Sequence, residues 1–200
     1  MANKNAMKLK ELICSDLYRY YGRADLRTLL KAFVLGIEYK YLFWMRVCRW
    51  ADGRSRIWMG LKIFSWLLMR RYMFKYGIVI PYRTDIGPGF YVGHFGGIVI
   101  SYKSHIGKNC NISQGVTIGQ SYRGERQGAP TLCDGVYVRP GAKLFGNIKV
   151  GNNVAIGANC VVTKDVPDNA VIVGVPGKVI SFNGAREYIS NTGWETSPEC

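Results

Sequence analysis

From Gly77 onward the apolar residues of this chain recur every six positions: Ile80, Ile86, Val92 and Ile98, then Ile106, Ile112 and Ile118, then Val138, Leu144, Val150, Ile156 and Val162. A period of six fits neither the 3.6 of an α-helix nor the 2 of an alternating strand. It matches the hexapeptide repeat of a parallel β-helix, in which each hexad forms one flat face and three hexads close one coil. Glycine follows the inward residue at Ile86-Gly87, Ile106-Gly107, Ile118-Gly119, Val150-Gly151 and Ile156-Gly157. Those steps predict sharp corners at which a Cβ would be strained.

The breaks in phase locate loops, because an insertion in a solenoid is expelled from an otherwise continuous prism. One break falls between Ile98 and Ile106. A larger one falls between Ile118 and Val138 and holds the polar run from Gln120 to Gly128. That Gly-flanked run cannot pack as a coil and is expected to project towards a neighbouring subunit. The repeat region spans residues 77–182. Residues 183–200 carry no repeat, and Asn183-Gly184, Thr192-Gly193 and Ser197-Pro198 read as turns of a loose C-terminal tail.

Residues 1–76 read as an α-helical region. Leu12, Leu17, Leu26, Leu29, Leu30 and Phe33 fall near helical spacing, with Asp16 and Asp25 in early turns. The aromatic stretch from Ile57 to Tyr76 is interrupted by Lys62, Arg70, Arg71 and Lys75, which leaves its apolar part short for a membrane span. Met1 to Arg83 holds 17 Lys/Arg against 5 Asp/Glu, while the rest of the chain holds 10 against 8. A concentrated basic excess suits a solvated helical face, an anionic substrate, or peripheral contact with an anionic membrane. No nucleic-acid-binding module accompanies it.

The six cysteines form no C-x-x-C pair or zinc-ligand spacing, and two histidines add little, so no metal site is expected. Met1 to Lys10 is polar and basic with no apolar core following it. That start predicts a cytoplasmic protein, with the inner face of the membrane as a further location.

Four segments carry a resemblance: His94-Phe95-Gly96-Gly97-Ile98-Val99-Ile100, the run from Ile112 to Gly119, the run from Gly157 to Pro167, and Gly174-Val175-Pro176-Gly177-Lys178. Together they resemble the hexapeptide-repeat acyltransferases, and within these the serine acetyltransferase branch and its relatives that acetylate bacterial surface polysaccharides. The resemblance covers residues 77–182 closely and the helical region loosely. It implies a mainly β chain, a left-handed parallel β-helix preceded by helices, assembled as a homotrimer with acetyl-CoA as co-substrate. It also implies a histidine general base, a place only His94 fills. An imidazole titrating near neutrality can take the proton of a hydroxyl attacking a thioester, with no covalent enzyme intermediate. His105 falls outside the motif and reads as a surface corner residue.

By the same resemblance the CoA-contacting positions are Ala158, Thr163, Lys164 and Lys178, with Gly141 and Ala142 as places of close approach. The acceptor site departs from the serine branch. An Asp expected before the histidine is Gly93, an Arg-His pair before a proline is Gly128-Ala129 before Pro130, and the carboxylate that orients the histidine falls on Val79. Asp85, which also reads as a corner cap, and Glu125, between Arg123 and Arg126, are the candidates to replace that carboxylate. The reading is an acetyl-CoA-dependent O-acetyltransferase whose acceptor is a sugar hydroxyl of a surface polysaccharide or its precursor. The alternatives are serine O-acetylation for cysteine synthesis, and a non-catalytic β-helix serving as an assembly module.

Overall fold

A computed structural model describes residues 9–197. Four helices come first: α1 (Leu9–Tyr21), α2 (Leu26–Leu35), α3 (Ile37–Ala51) and α4 (Met59–Tyr76). Asp25 starts α2 by accepting a hydrogen bond from the Thr28 amide at 2.7 Å. Gly77, at φ +63°, stops α4 in the left-handed conformation that favours glycine. Among the described residues no helix is long and apolar enough to cross a membrane.

The strands then wind through five coils. The first holds β1 (Ile78–Val79), β2 (Asp85–Ile86) and β3 (Tyr91–Val92), and the second β4 (Ile98–Ile100), β5 (His105–Ile106) and β6 (Asn111–Ile112). The third holds β7 (Thr117–Gly119), β8 (Thr131–Leu132) and β9 (Tyr137–Val138), and the fourth β10 (Lys143–Phe145), β11 (Lys149–Val150) and β12 (Ala155–Ile156). The fifth holds β13 (Val161–Val162) and β14 (Val171–Val173), after which β15 (Lys178–Ser181) turns back. Each strand pairs in parallel with its equivalent one coil away, giving three sheets: β1-β4-β7-β10-β13, β2-β5-β8-β11 and β3-β6-β9-β12-β14. This is the left-handed parallel β-helix.

Two residues of each hexad point inward. Val92, Ile112, Val138, Ile156 and Ile172 stack in one fully or nearly buried column, and two positions earlier Phe90, Cys110, Val136, Val154 and Ala170 stack in another. Positive backbone angles recur three positions before the first column, at Gly89, Asn109, Gly135, Asn153 and Asn169. The glycine after the inward residue has a different cause. A Cβ on Gly87 would sit 2.7 Å from the backbone of Gly107, so these glycines let successive coils approach.

The first phase break is not where the period alone put it. Ile100, not Ile98, pairs with Ile118 and continues the inward column, and Ile98 occupies the other buried column. The extra residues therefore lie between Val92 and Ile98.

The helices cap the open end of the solenoid. The lower edge of the first coil has no strand beneath it, and side chains take the place of one. Tyr41 Oη donates to the carbonyl of Ile80 and accepts from its amide, and Tyr20 Oη does the same for Val92. Ser15 and Asp16 accept from the amides of Gly89 and Phe90, while Arg46 donates to the carbonyls of Ile86 and Gly87. One apolar core runs from the prism into Tyr41, Leu42, Met45, Cys48 and Met69.

The C-terminal segment is not loose as far as it is described. Ala185 and Ile189 are buried against Ala155, Tyr137 and Val171 on the third sheet, and Trp194 is buried near α1. Arg19 donates to the carbonyl of Ser190, and Asn191 Nδ2 donates to that of Arg19. The turn expected at Ser197-Pro198 extends outside the described residues.

Candidate active site

Among the turns that lead from the third sheet to the first, one departs from the rest. Moving from the third sheet to the first, Ile112 and Thr117, Val138 and Lys143, and Ile156 and Val161 are each five positions apart, whereas the equivalent Val92 and Val99 are seven apart. The two additional residues are His94 and Phe95. The backbone is pinned on both sides of them: the Gly93 amide donates to Ile112 O at 2.9 Å, and Gly96 O accepts from the Gly115 amide at 2.7 Å. Ladder bonds thus hold the ends while the pair between is pushed out of the coil. His94 is exposed. Phe95 packs on Tyr76, the last residue of α4, with ring centroids 5.4 Å apart, which ties the expanded corner to the helical cap.

The edge carrying His94 continues through Gln114, Pro140 and Ala158, one per coil, each followed by a residue of the next row, Gly115, Gly141 and Asn159. Gly141 has φ +74°, and a Cβ there would overlap the side chain of Asn159. From the corner of His94 to that of Ala158 is three coil steps, about 14 Å at the spacing of neighbouring strands. Gly115, Gly141 and Ala158 carry at most a methyl group, so the bulk on this edge comes from Gln114, Pro140 and Asn159, and an elongated ligand has room beside the small residues. Thr163 and Lys164 lie exposed beyond β13, across the first sheet from that edge, and Lys178 lies exposed on β15.

Three expected site residues stand elsewhere. Asp85 sits on the second sheet, away from the His94 edge, and pairs across the ladder with His105: Asp85 Oδ2 lies 2.8 Å from His105 Nδ1, and Oδ1 accepts from Arg49 at 3.1 Å. It therefore holds the cap to the second coil rather than orienting His94. His105 is accordingly a strand residue hydrogen-bonded to Asp85, not a free corner. Ala142 is fully buried in the column of Val116 and Cys160, so its methyl group lines the core and not a surface groove.

Glu125 lies in the exposed excursion between β7 and β8, at the corner on the far side of the first sheet from His94. The structure does not bring these two together within one chain. The excursion is nonetheless fastened. Ser121 and Gly128 exchange two backbone hydrogen bonds, Arg126 O accepts from the Asn147 amide, and Arg126 Nη1 lies 2.9 Å from Asp165 Oδ1. Asp165 also accepts from the Lys149 amide, and that bond, followed by Arg126, holds its carboxyl below the usual carboxylate range. The clamp places the excursion beside Lys164.

Gln114 escaped the sequence reading. It is one coil above Gly96 on the His94 edge, and its Oε1 is buried with no hydrogen-bond partner. A buried acceptor left open costs stability and calls for an explanation. Periodicity carries no signal for it, because corner positions accept many residue types.

A shallow pocket bounded by Lys108, Asp134, Asn152 and Arg186 lies on a different edge, between the second and third sheets. Among the described residues no group of three His, Cys, Asp or Glu side chains clusters as metal ligands.

No protein-family model matches the chain. Over 110 residues it is 42% identical to a serine acetyltransferase of Synechococcus elongatus, covering 55% of this chain and 45% of that protein. Over 110 residues it is 40% identical to one of Bacillus pumilus, covering 55% and 51%. The chain thus spans about half the length of the curated relatives it matches. Among solved structures it is similar to Neisseria gonorrhoeae serine acetyltransferase in complex with serine, at TM-score 0.70 and 29% identity over 86% of this chain and 69% of that one. A serine acetyltransferase in complex with CoA matches at TM-score 0.68 and 26% identity, with the same two coverages.

Proposed function

We propose that this chain, similar to serine acetyltransferases in sequence and in fold, is a hexapeptide-repeat acyltransferase that moves the acetyl group of acetyl-CoA to a hydroxyl, with His94 as general base. The observation that carries the reading is the two-residue expansion of a single corner, which lifts His94 out of an otherwise regular coil. The unprotonated imidazole nitrogen takes the proton of the acceptor hydroxyl as its oxygen attacks the thioester carbonyl carbon. The carbon–sulfur bond then breaks, and the CoA sulfur leaves with the proton that the imidazolium returns. Acetyl-CoA runs along the edge of Gly141 and Ala158, with Lys164 and Lys178 as cations for its phosphates. The assembly is a homotrimer in which the excursion of one subunit brings Glu125 towards His94 of the next.

The relatives are serine acetyltransferases, and this favours L-serine as the acceptor over a polysaccharide. A second reading, a saccharide hydroxyl, rests on Val79, Gly93 and Gly128-Ala129, which supply no charge for an ammonium or a carboxylate. Thiol release from acetyl-CoA, followed with L-serine and with a panel of bacterial oligosaccharides, decides between them. His94→Ala is expected to lower the rate with the true acceptor by about 10²- to 10⁴-fold. Undiminished turnover in that variant would remove the mechanism, and turnover with a saccharide alone would replace the acceptor.

A further inference from the structure

The helical cap has two sides. Towards the solenoid α4 presents Ser65 and Met69, both buried. Its opposite side, which would be polar in an ordinary surface helix, carries Ile63, Phe64, Trp66 and Leu67, each between 40% and 53% exposed. The edge-to-face contacts Phe33–Trp44 and Trp44–Phe64 join this side to α2, where Leu30 and Val34 are more exposed still.

The charges around this surface have one sign. No Asp or Glu occurs between Asp52 and Asp85 or between Asp25 and Glu38. Several basic residues of the cap and of the first coil are used inside the fold, Arg46 and Arg49 by coil carbonyls, and Lys62 and Arg83 by Asp52. Arg70, Arg71 and Lys75 are exposed and form no ion pair among the described residues. Arg70 lies 4.9 Å over the ring of Trp66, so the basic and aromatic groups are interleaved.

We propose that this outer side of α4, continued by α2, docks on an anionic lipid surface, its apolar side chains entering the headgroup layer and Arg70, Arg71 and Lys75 facing the lipid charge. Exposed aromatic and aliphatic residues interleaved with unpaired cations suit contact with anionic headgroups, whose charge attracts surface Lys and Arg. A second copy of the chain fits less well. An isologous contact would set these cations against their own copies with no acid to separate them.

The test is co-sedimentation of the purified full chain with vesicles of phosphatidylcholine alone and of phosphatidylcholine with phosphatidylglycerol. Binding is expected only to the anionic vesicles, weakened by salt, and reduced about thirtyfold in Arg70→Gln/Arg71→Gln, since each surface cation contributes about fivefold. Both positions are exposed, and thermal melting checks that the variant folds. Failure to bind the anionic vesicles, equal binding to neutral ones, or no response to the double substitution overturns the proposal. So does a fall in the mass of the assembly on analytical ultracentrifugation of Trp66→Ser/Leu67→Ser, which would assign the surface to another subunit.

Discussion

Arg46 donates from Nε to Asp16 Oδ2 at 2.8 Å, with both side chains buried, while its terminal nitrogens reach the carbonyls of Ile86 and Gly87 at 2.6 and 2.7 Å. One guanidinium thus joins α1, α3 and the first coil. Removing one partner strands a buried charge together with unpaired backbone groups. Arg46→Ala is expected to destabilise the protein by about 3–5 kcal/mol, measured by denaturant unfolding, and Arg46→Met/Asp16→Leu by less than Arg46→Ala. Equal losses in the two would show that the charge is not what matters.

Deleting His94 and Phe95 together restores the five-residue spacing of the other corners. The variant is expected to keep its far-ultraviolet circular dichroism and to melt near the parent, because the bonds at Gly93 and Gly96 survive. Acetyl transfer is expected to vanish. A collapsed fold would mean that the pair is structural.

Gln114→Leu removes an acceptor that is buried and unpaired. Replacing such a group with an apolar one of similar size is expected to leave the melting temperature unchanged or raise it. Steady-state kinetics are expected to show weaker transfer all the same, because Gln114 sits on the edge of His94, one coil above Gly96. A variant with unchanged kinetics would give Gln114 no part in the site.

Burial pushes the thiol of Cys110 up to about 12 and that of Cys48 to about 11. Native alkylation with iodoacetamide, mapped by mass spectrometry, is expected to leave both unmodified until the protein is unfolded. Cys133 is only partly buried and is expected to react before either.

Asp165 titrates below the unfolded value, so the clamp on the excursion is fully present above the ordinary carboxylate pKa of about 3.9 and is lost as the pH falls through the lower folded value. The Lys149 amide resonance is expected to report a midpoint below that value, and Asp165→Asn to abolish the transition.

The repeat was legible because packing enforces it. Ile86, Ile106, Leu132 and Val150 must be apolar to stack one above another, and an apolar period survives in any sequence that buries such a column. The expanded corner was misplaced by period alone because Ile98 and Ile100 are both buried, and both inward positions accept the same residue types. His94 was read from its motif, and its edge from Gly141 and Ala158. The partners of Asp85 were out of reach, since His105 and Arg49 meet it through coil stacking and cap docking, which leave no mark in local sequence. The docked segment after residue 182 was missed for a related reason: Ala185, Ile189 and Trp194 pack singly, with no period to show them.

The last strand gives the solenoid its length. A parallel ladder offers its free edge to anything that continues the same direction, including the first coil of another molecule. On the third sheet of this chain that edge is taken by β15, which pairs with β14 in the opposite sense and with a shift in register at Val171 and Ile172. The reversal works as a stop codon does in a message: on that sheet it ends the count and denies a second molecule the template on which a parallel ladder would grow.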